Sequence, residues 1–307
     1  MAELDVLRIG TRGSPLARWQ ADWVANRLRA LHPGLAVELV EIKTEGDRDR
    51  NSPLSAIGGT GVFTKEIQRA LLNGSVEIAV HSLKDLPTQG PNSLILGAIP
   101  EREDVADALI APRFKTLAEL PPGAKVGTGS LRRRAMLLHA RPDLAVVDLR
   151  GNVETRLNQA IDGRLDAVVL ASAGLIRLGL AGHVTERLAP PTFLPAVGQG
   201  ALGIECRRDD PMTQGRLAPL NHAPSHRAVL AERQALADLE GGCLIPLGAF
   251  AQDLDGDRLL LDAVVYGANG RERLVAQVVG AQTDPQAVGR EVARLLREQG
   301  ADRVLGR

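Results

Sequence analysis

Two stretches of this 307-residue chain alternate short apolar strands with amphipathic helices, and this alternation constrains the fold more than any other feature. In the first stretch a strand precedes a helix that opens at Ser14-Pro15. The following segments read in turn as strand, helix and strand: AVELVEIKT, TKEIQRALLNG and VEIAVHS. A strand–helix–strand order predicts a largely parallel sheet with helices on its faces.

A second stretch repeats this order and predicts a second α/β lobe. Its segments are AKVGTGS, LRRRAMLLHA, LAVVDLRG, NVETRLNQAI and DAVVLASAG. Links near residues 101–104 and 190–197 are interpreted as crossing points, after which the strand-like GALGIECR returns to the first lobe. We therefore expect a first lobe of residues 1–100 with 198–219, a second lobe of residues 101–197, and a hinged cleft.

The last part of the chain, residues 220–307, follows a different pattern. One helix precedes three extended segments joined by Asp-Gly and Asn-Gly turns, and a final helix closes the chain. Such turns are typical of β-hairpins. We expect a small α+β C-terminal domain.

Composition excludes several classes of protein. The formal net charge is zero and aromatic residues make up only 2%, which disfavours nucleic-acid and membrane partners. The two cysteines and six histidines form no cluster with metal-ligand spacing, so no metal is expected. The acidic N-terminal segment lacks a signal peptide, which indicates a cytoplasmic protein in which a structural disulfide is not expected.

Arginines are concentrated where predicted strands end. Only five of the 37 basic residues are lysines, and guanidinium groups at strand ends and helix N-termini are typical of anion-binding sites. A GC-rich genome could explain the number of arginines, and a solvated helix face could explain any single one, but their joint placement at strand ends favours anion binding. The strand-end residues are Arg12, Ser14, Ser130, Arg132, Arg133, Arg134, Arg150 and Arg156, and of these Arg134 is interpreted as part of a solvated helix face.

The segment VHSLKDLP places Ser82, Lys84 and Asp85 in a turn after a strand. An ionised Asp85 could bind a polarised N–H or stabilise a developing positive charge. An aspartate in a surface turn would do neither, and the pattern alone leaves both interpretations open. His81 is interpreted as a structural histidine.

Cys243 lies in LEGGCLIPLGA, after a Gly-Gly pair. Its thiol could be a packed side chain, a nucleophile or a covalent attachment point. The glycines argue against simple packing, and the lack of a partner histidine motif argues against a nucleophile. Cys206, in the strand-like LGIECR, is expected to be buried and inert.

Taken together, eight segments resemble the porphobilinogen deaminase family, in order from about Leu7 to Ala249. They are RIGTRGSPLA, GGTGVFTKEIQ, AVHSLKDLPT, EREDVADALI, VGTGSLRRR, LRGNVETRL, LPAVGQGALGIECR and LEGGCLIPLGA. Eight short motifs in register are far more specific than any one of them.

The resemblance implies a fold and an activity. The fold is α/β, with two hinged lobes like those of periplasmic binding proteins and a small α+β C-terminal domain. The activity is that of a transferase in tetrapyrrole and heme biosynthesis: it joins four porphobilinogen molecules into linear hydroxymethylbilane and releases this product by hydrolysis. The growing chain is built on a dipyrromethane bound covalently through Cys243, in a monomeric enzyme.

Roles for individual residues also follow from the resemblance. Asp85 is the catalytic residue and contacts the cofactor. Cofactor binding is implied for Cys243, Ser82, Lys84, Ser130, Arg132, Arg133 and Arg156, and substrate binding for Arg12, Ser14, Arg150, Arg177, Phe63 and Gln199. This chain departs from many relatives at Thr60, where they carry lysine, so an electrostatic role there is in doubt.

A non-catalytic two-lobed protein that binds or senses carboxylated ligands is the alternative, because hinged lobes also serve as binding proteins. An added dipyrromethane on Cys243 would distinguish the enzyme from the sensor.

Overall fold

The computed structural model describes residues 6–44, 46, 61, 64–240 and 245–307. It divides into two compact units. The first contains residues 1–102 and 201–226, and the second contains residues 103–200 and 227–307. Cys243, Phe63 and Thr60 lie outside the described residues.

Strands and helices alternate through most of the described chain. The strands are β1 (Val6–Thr11), β2 (Ala36–Glu41), β3 (Ile78–Ser82), β4 (Leu94–Ala98), β5 (Asp107–Ile110), β6 (Lys125–Gly127), β7 (Ala145–Val147), β8 (Ala167–Ala171), β9 (Glu186–Leu188), β10 (Leu202–Arg207), β11 (Leu247–Leu254), β12 (Arg258–Tyr266) and β13 (Arg273–Ala281). The helices are α1 (Pro15–Leu31), α2 (Lys65–Leu72), α3 (Leu131–Ala140), α4 (Val153–Ile161), α5 (Ser172–Arg177), α6 (Pro211–Leu217), α7 (Ala223–Asp238), α8 (Pro285–Glu298) and α9 (Ala301–Val304).

The first unit contains a five-stranded sheet in the order β2-β1-β3-β10-β4. β1 is parallel to β2 and β3, but β10 is antiparallel to both of its neighbours. The parallel pairing predicted from the strand–helix–strand order is confirmed for β1, β2 and β3, but the sheet as a whole is mixed because β10 is antiparallel. The returning chain enters with Leu202 opposite Ser82, at the edge where β3 ends, so it can only run back along β3.

The second unit contains a similar five-stranded sheet in the order β7-β6-β8-β5-β9. β6 is parallel to β7 and β8, whereas β5 is antiparallel to β8 and β9. The same unit holds the antiparallel sheet β11-β12-β13, on which α8 packs. Val264 and Tyr266 of β12 are buried in one cluster with Met136 and Leu137 of α3, so the two sheets share apolar core.

Capping residues fix where the helices that follow these strands begin. The Ser14 hydroxyl accepts a hydrogen bond from the backbone N–H of Ala17, and Ser130 does the same for Arg133. Each such cap stabilises a helix by about 1 kcal/mol. The described residues confirm an α/β protein with two sheet-containing lobes and a small C-terminal sheet domain.

Candidate active site

In the first unit, the candidate residues lie at the end of the sheet where the parallel strands β1 and β3 finish. Because β1 and β3 are adjacent and parallel, the turns that follow Thr11 and Ser82 leave the sheet on the same side. Arg12 and Ser14 belong to the first of these turns, and the Ser14 hydroxyl is already used to cap α1. The parallel pairing therefore brings the N-terminal arginine and the predicted catalytic turn to a common edge.

Asp85 lies in a 3-10 turn, Leu83–Asp85, directly after β3. Leu83 is buried, and its backbone N–H donates to the carbonyl of Ala201 at 3.0 Å. Ser82 is held by the buried amide of Gln20, whose Nε2 lies 2.9 Å from Ser82 Oγ. The Asp85 side chain is exposed. A rigid, anchored turn thus presents this carboxylate at the protein surface.

A buried polar cluster surrounds His81, which lies on β3 just before that turn. His81 Nε2 is 3.0 Å from Glu205 Oε2, and Gln68 Nε2 donates to Glu205 Oε1 at 3.1 Å. All three side chains are buried. The interpretation of His81 as a structural histidine agrees with these contacts.

In the second unit, the candidate residues again follow strands that end at one edge. β6 leads to Ser130 and α3, and the parallel β7 leads to Arg150 and α4. Arg156 turns back toward the start of α4, where its Nε donates to the carbonyl of Gly151 at 2.6 Å. Arg150 and Arg156 are partly exposed, whereas Arg132 and Arg133 are buried.

Asp107 holds Arg132 and Arg133. It is fully buried on β5, with Oδ2 2.7 Å from Arg132 Nη1 and Oδ1 2.8 Å from Arg133 Nε. Burial raises the pKa of Asp107, but the two guanidinium groups more than reverse this effect and hold that pKa well below its ordinary value. The carboxylate is therefore ionised at neutral pH.

The two arginines differ in how far the protein satisfies them. Arg133 donates from Nε to Asp107, from Nη1 to the carbonyl of Val169 at 3.3 Å, and from Nη2 to Gln199 Oε1 at 3.2 Å. Arg132 donates from Nη1 to Asp107 and to the carbonyl of Leu194, both at 2.7 Å. Among the described residues, the buried Arg132 Nε has no hydrogen-bond partner. Nε is thus an unsatisfied buried donor of this guanidinium.

Gln199 and Arg177 are also buried in the second unit. Gln199 Nε2 donates to Asp107 Oδ1 and to the carbonyl of Val105, both at 2.8 Å. Arg177 Nη2 donates to the carbonyl of Gly200 at 2.7 Å, and burial lowers the pKa of Arg177 to about 10. Both side chains support the link that precedes β10. Direct contact between either one and substrate stays a prediction.

Sequence reasoning missed Asp107. Its signal was an acidic residue within the apolar segment VADALI, where a buried charge needs a partner. Its arginine partners follow 25 and 26 residues later, so the local pattern did not reveal them. Glu232 was missed for the same reason: it is fully buried and accepts hydrogen bonds from the backbone N–H groups of Gly198 and Ala251 at 2.8 and 2.9 Å.

The predicted attachment residue, Cys243, lies in a segment outside the described residues. The chain on either side is well anchored, because Leu239 is buried at the end of α7 and Leu247 starts β11. Cys206 is buried in the core of the first unit, as expected, and burial raises its pKa to about 11. No helix in the described part of the chain is long and apolar enough to cross a membrane.

Comparison with known proteins identifies the family. Residues 7–215 match the family model for "porphobilinogen deaminase, dipyromethane cofactor binding domain", and residues 226–298 match the model for its C-terminal domain. The porphobilinogen deaminase of Syntrophotalea carbinolica is 50% identical over 302 residues, covering 97% of this chain and 95% of the relative. That of Geobacter metallireducens is 49% identical over 299 residues, covering 97% and 93%.

Among solved structures, the methionine-binding protein MetQ has a TM-score of 0.46 and 14% identity, covering 77% of this chain and 95% of that one. The sequence matches are much closer and span nearly the whole chain. The chain belongs to the porphobilinogen deaminase family.

Proposed function

We propose that the strand-end residues described above serve the family's reaction, in which four porphobilinogen molecules are joined with loss of ammonia and hydroxymethylbilane is released by hydrolysis. Residues 7–215 match the family's dipyrromethane-binding domain, which makes dipyrromethane the cofactor of this chain. When bound, this group supplies the free pyrrole carbon to which substrate is added. Cys243 is the proposed attachment point, through a thioether. The relatives are named as enzymes, which favours the enzyme over the sensor alternative.

The observation that carries the proposed binding role is the unpartnered Nε of Arg132. Porphobilinogen and dipyrromethane carry acetate and propionate groups, and a buried carboxylate needs paired charge. Arg132 Nε is buried and has no partner within the described residues, whereas Nη1 is fixed by Asp107 and Leu194. A guanidinium edge binds a carboxylate through two parallel N–H···O bonds. The donors present thus fit an acid group of the cofactor.

Asp85 is the proposed catalytic residue. A carboxylate can accept a hydrogen bond from a pyrrole N–H and can stabilise the positive charge that develops when ammonia leaves the substrate. The anchored turn after β3 keeps this charge in a fixed position, so little reorganisation is needed during reaction. Such preorganised electrostatic stabilisation is typically worth about 10²–10³ in kcat for one group.

The remaining candidates are proposed to bind acid groups or to support the residues that do. Arg133, Arg177 and Gln199 are buried in contacts within the protein, which favours a supporting role for these three. The more accessible candidates are better placed to contact ligand directly: Arg12, Ser14, Ser82, Lys84, Ser130, Arg150 and Arg156. Phe63 is proposed to contact substrate on the family resemblance alone.

Asp85→Asn and Cys243→Ser test the two central roles. We expect Asp85→Asn to keep its unfolding temperature but lose at least ~10²-fold in kcat. Cys243→Ser is expected to lack the dipyrromethane mass on intact-mass measurement. Asp22→Asn, at an exposed position on α1, is the control for the first change, and Cys206→Ala is the control for the second. Parent-like turnover by Asp85→Asn would refute its catalytic role, and a dipyrromethane adduct on Cys243→Ser would refute the attachment point.

We propose that the protein is a cytoplasmic monomer without membrane or nucleic-acid partners. The zero formal net charge supports the proposed absence of these partners. The domain boundaries at residues 100, 197 and 219 also remain proposals. Light scattering on the purified protein tests the monomer, since a molar mass near twice 32.7 kDa would contradict it.

A further inference from the structure

Asp107 is placed to control the direction of the Arg132 guanidinium. Each carboxylate oxygen binds a different arginine, with Oδ2 on Arg132 and Oδ1 on Arg133. Gln199 Nε2 adds a third donor, 2.8 Å from Oδ1. Asp107 is opposite Ala171 of β8 and Leu188 of β9, so its backbone is held between two strands. Both the position and the rotation of this carboxylate are fixed.

The contacts of Arg132 make Asp107 its main restraint. Among the hydrogen bonds of the described residues, Arg132 is held only through Nη1, by Asp107 and the carbonyl of Leu194, with Met136 Sδ farther away at 3.6 Å. The guanidinium is planar, so fixing Nη1 through two acceptors sets where Nε and Nη2 point. Arg133, in contrast, binds Asp107, Val169 and Gln199 and gains its orientation from several acceptors.

The charges in this cluster point to the same role. Two buried guanidinium groups face one buried carboxylate, which leaves an excess positive charge close to the unpartnered Nε of Arg132. An incoming carboxylate would balance that charge and complete the hydrogen bonding of Arg132. Asp107 therefore stabilises the two buried arginines in the apo-protein. It does so without occupying the Nε–Nη2 edge of Arg132, which a ligand would use.

We propose that Asp107 is a positioning residue, which holds Arg132 so that its Nε–Nη2 edge receives an acid group of the dipyrromethane or of its precursor substrate. This inference rests on the proposed function, because it requires Arg132 to bind such a group. Asp107 itself does not touch the ligand. Its effect is to fix the direction of two donor bonds.

Asp107→Glu separates positioning from simple charge balance. This change keeps the negative charge but moves the carboxylate by one methylene, so Arg132 must turn. We expect the apo-protein to bind dipyrromethane, made from added porphobilinogen, at least ~30-fold more slowly than the parent by intact-mass measurement, the effect of weakening one buried charged pair. Asp166→Asn is the control, since it breaks a more exposed pair with Arg113 in the same unit. Loading of Asp107→Glu at the parent rate would overturn the inference.

A second measurement uses the parent protein, so that the Arg132 contact that the inference requires stays testable if Asp107→Glu does not fold. The Arg132 Nε–H resonance, assigned with Arg132→Lys, is followed by ¹⁵N NMR in apo and loaded protein. A downfield shift on loading is expected, because Nε gains an acceptor. If that resonance does not move, Arg132 does not bind the acid group and its proposed binding role fails. If it moves in the parent and moves equally in a folded Asp107→Glu, only the positioning role of Asp107 fails.

Discussion

Gly200→Ala tests whether the link before β10 requires a residue without a side chain. Gly200 has φ +85°, and an added Cβ would lie 2.3 Å from the carbonyl oxygen of Glu103. The carbonyl of Gly200 accepts hydrogen bonds from Arg177 Nη2 at 2.7 Å and from the backbone N–H of Glu103 at 3.2 Å. The glycine therefore lies where two chain segments of the second unit cross in close contact.

Two independent costs determine the size of the effect. A left-handed backbone costs an alanine about 1–2 kcal/mol. Relieving a 2.3 Å contact with backbone oxygen requires a shift of one segment, comparable with overpacking at about 1–3 kcal/mol. The sum is about 2–5 kcal/mol. For a unit of this size, each 1 kcal/mol lowers the unfolding temperature by about 2–4 °C, so we expect a decrease of roughly 4–20 °C.

Two other glycines separate these costs in the same thermal unfolding assay. Gly74 has φ +74° with open space around a Cβ, so Gly74→Ala should show only the backbone cost. Gly215 lies in α6 with open space and no positive φ, so Gly215→Ala should be neutral or stabilising by up to about 1 kcal/mol. The reasoning is refuted if Gly200→Ala unfolds at a temperature no lower than Gly74→Ala.

Two further predictions concern titratable groups. The pKa of Asp107 is held low by its arginines against the effect of burial, and that of Asp104 is lowered by its hydrogen bond with Arg187. A carboxylate whose pKa is lowered in the folded state stabilises the fold above about pH 4, and this stabilisation is lost as the pH falls further. The unfolding temperature should therefore fall steadily from pH 5 to pH 3. A flat profile would contradict this prediction. Because burial raises the pKa of Cys206 to about 11, iodoacetamide at pH 8 should modify it at least ~100-fold more slowly in folded than in unfolded protein, as measured by mass; equal rates would contradict its burial.

The sequence predicted the local parts of the fold accurately. The segment LRRRAMLLHA forms α3 over the same ten residues, because a capping serine precedes it and a strand ends just before that serine. Helix α1 begins at Pro15, where Ser14-Pro15 indicated an N-terminus. These features depend on hydrogen bonds and backbone preferences within a few residues, which a sequence pattern reports directly.

Strand direction and buried ion pairs were harder to predict, because they depend on contacts distant in sequence. β10 looks like any apolar strand, and its antiparallel direction follows only from where the chain re-enters the sheet beside Ser82. The sequence pattern predicted no role for Asp107, although this residue forms ion pairs with Arg132 and Arg133. The strand-end positions were found, but the side chains that fix their orientation were not.

The arginine contacts change how such strand ends are interpreted. Counting arginines at strand ends overestimates how many ligand acid groups a site can bind, because each guanidinium has five donors and the protein can use them all. Arg133 uses Nε and both terminal nitrogens within the protein. Arg132 uses only Nη1 among the hydrogen bonds of the described residues. Unsatisfied donors are therefore a better guide to binding capacity than the number of arginines, and by that measure Arg132 is the proposed carboxylate site and Arg133 its proposed support.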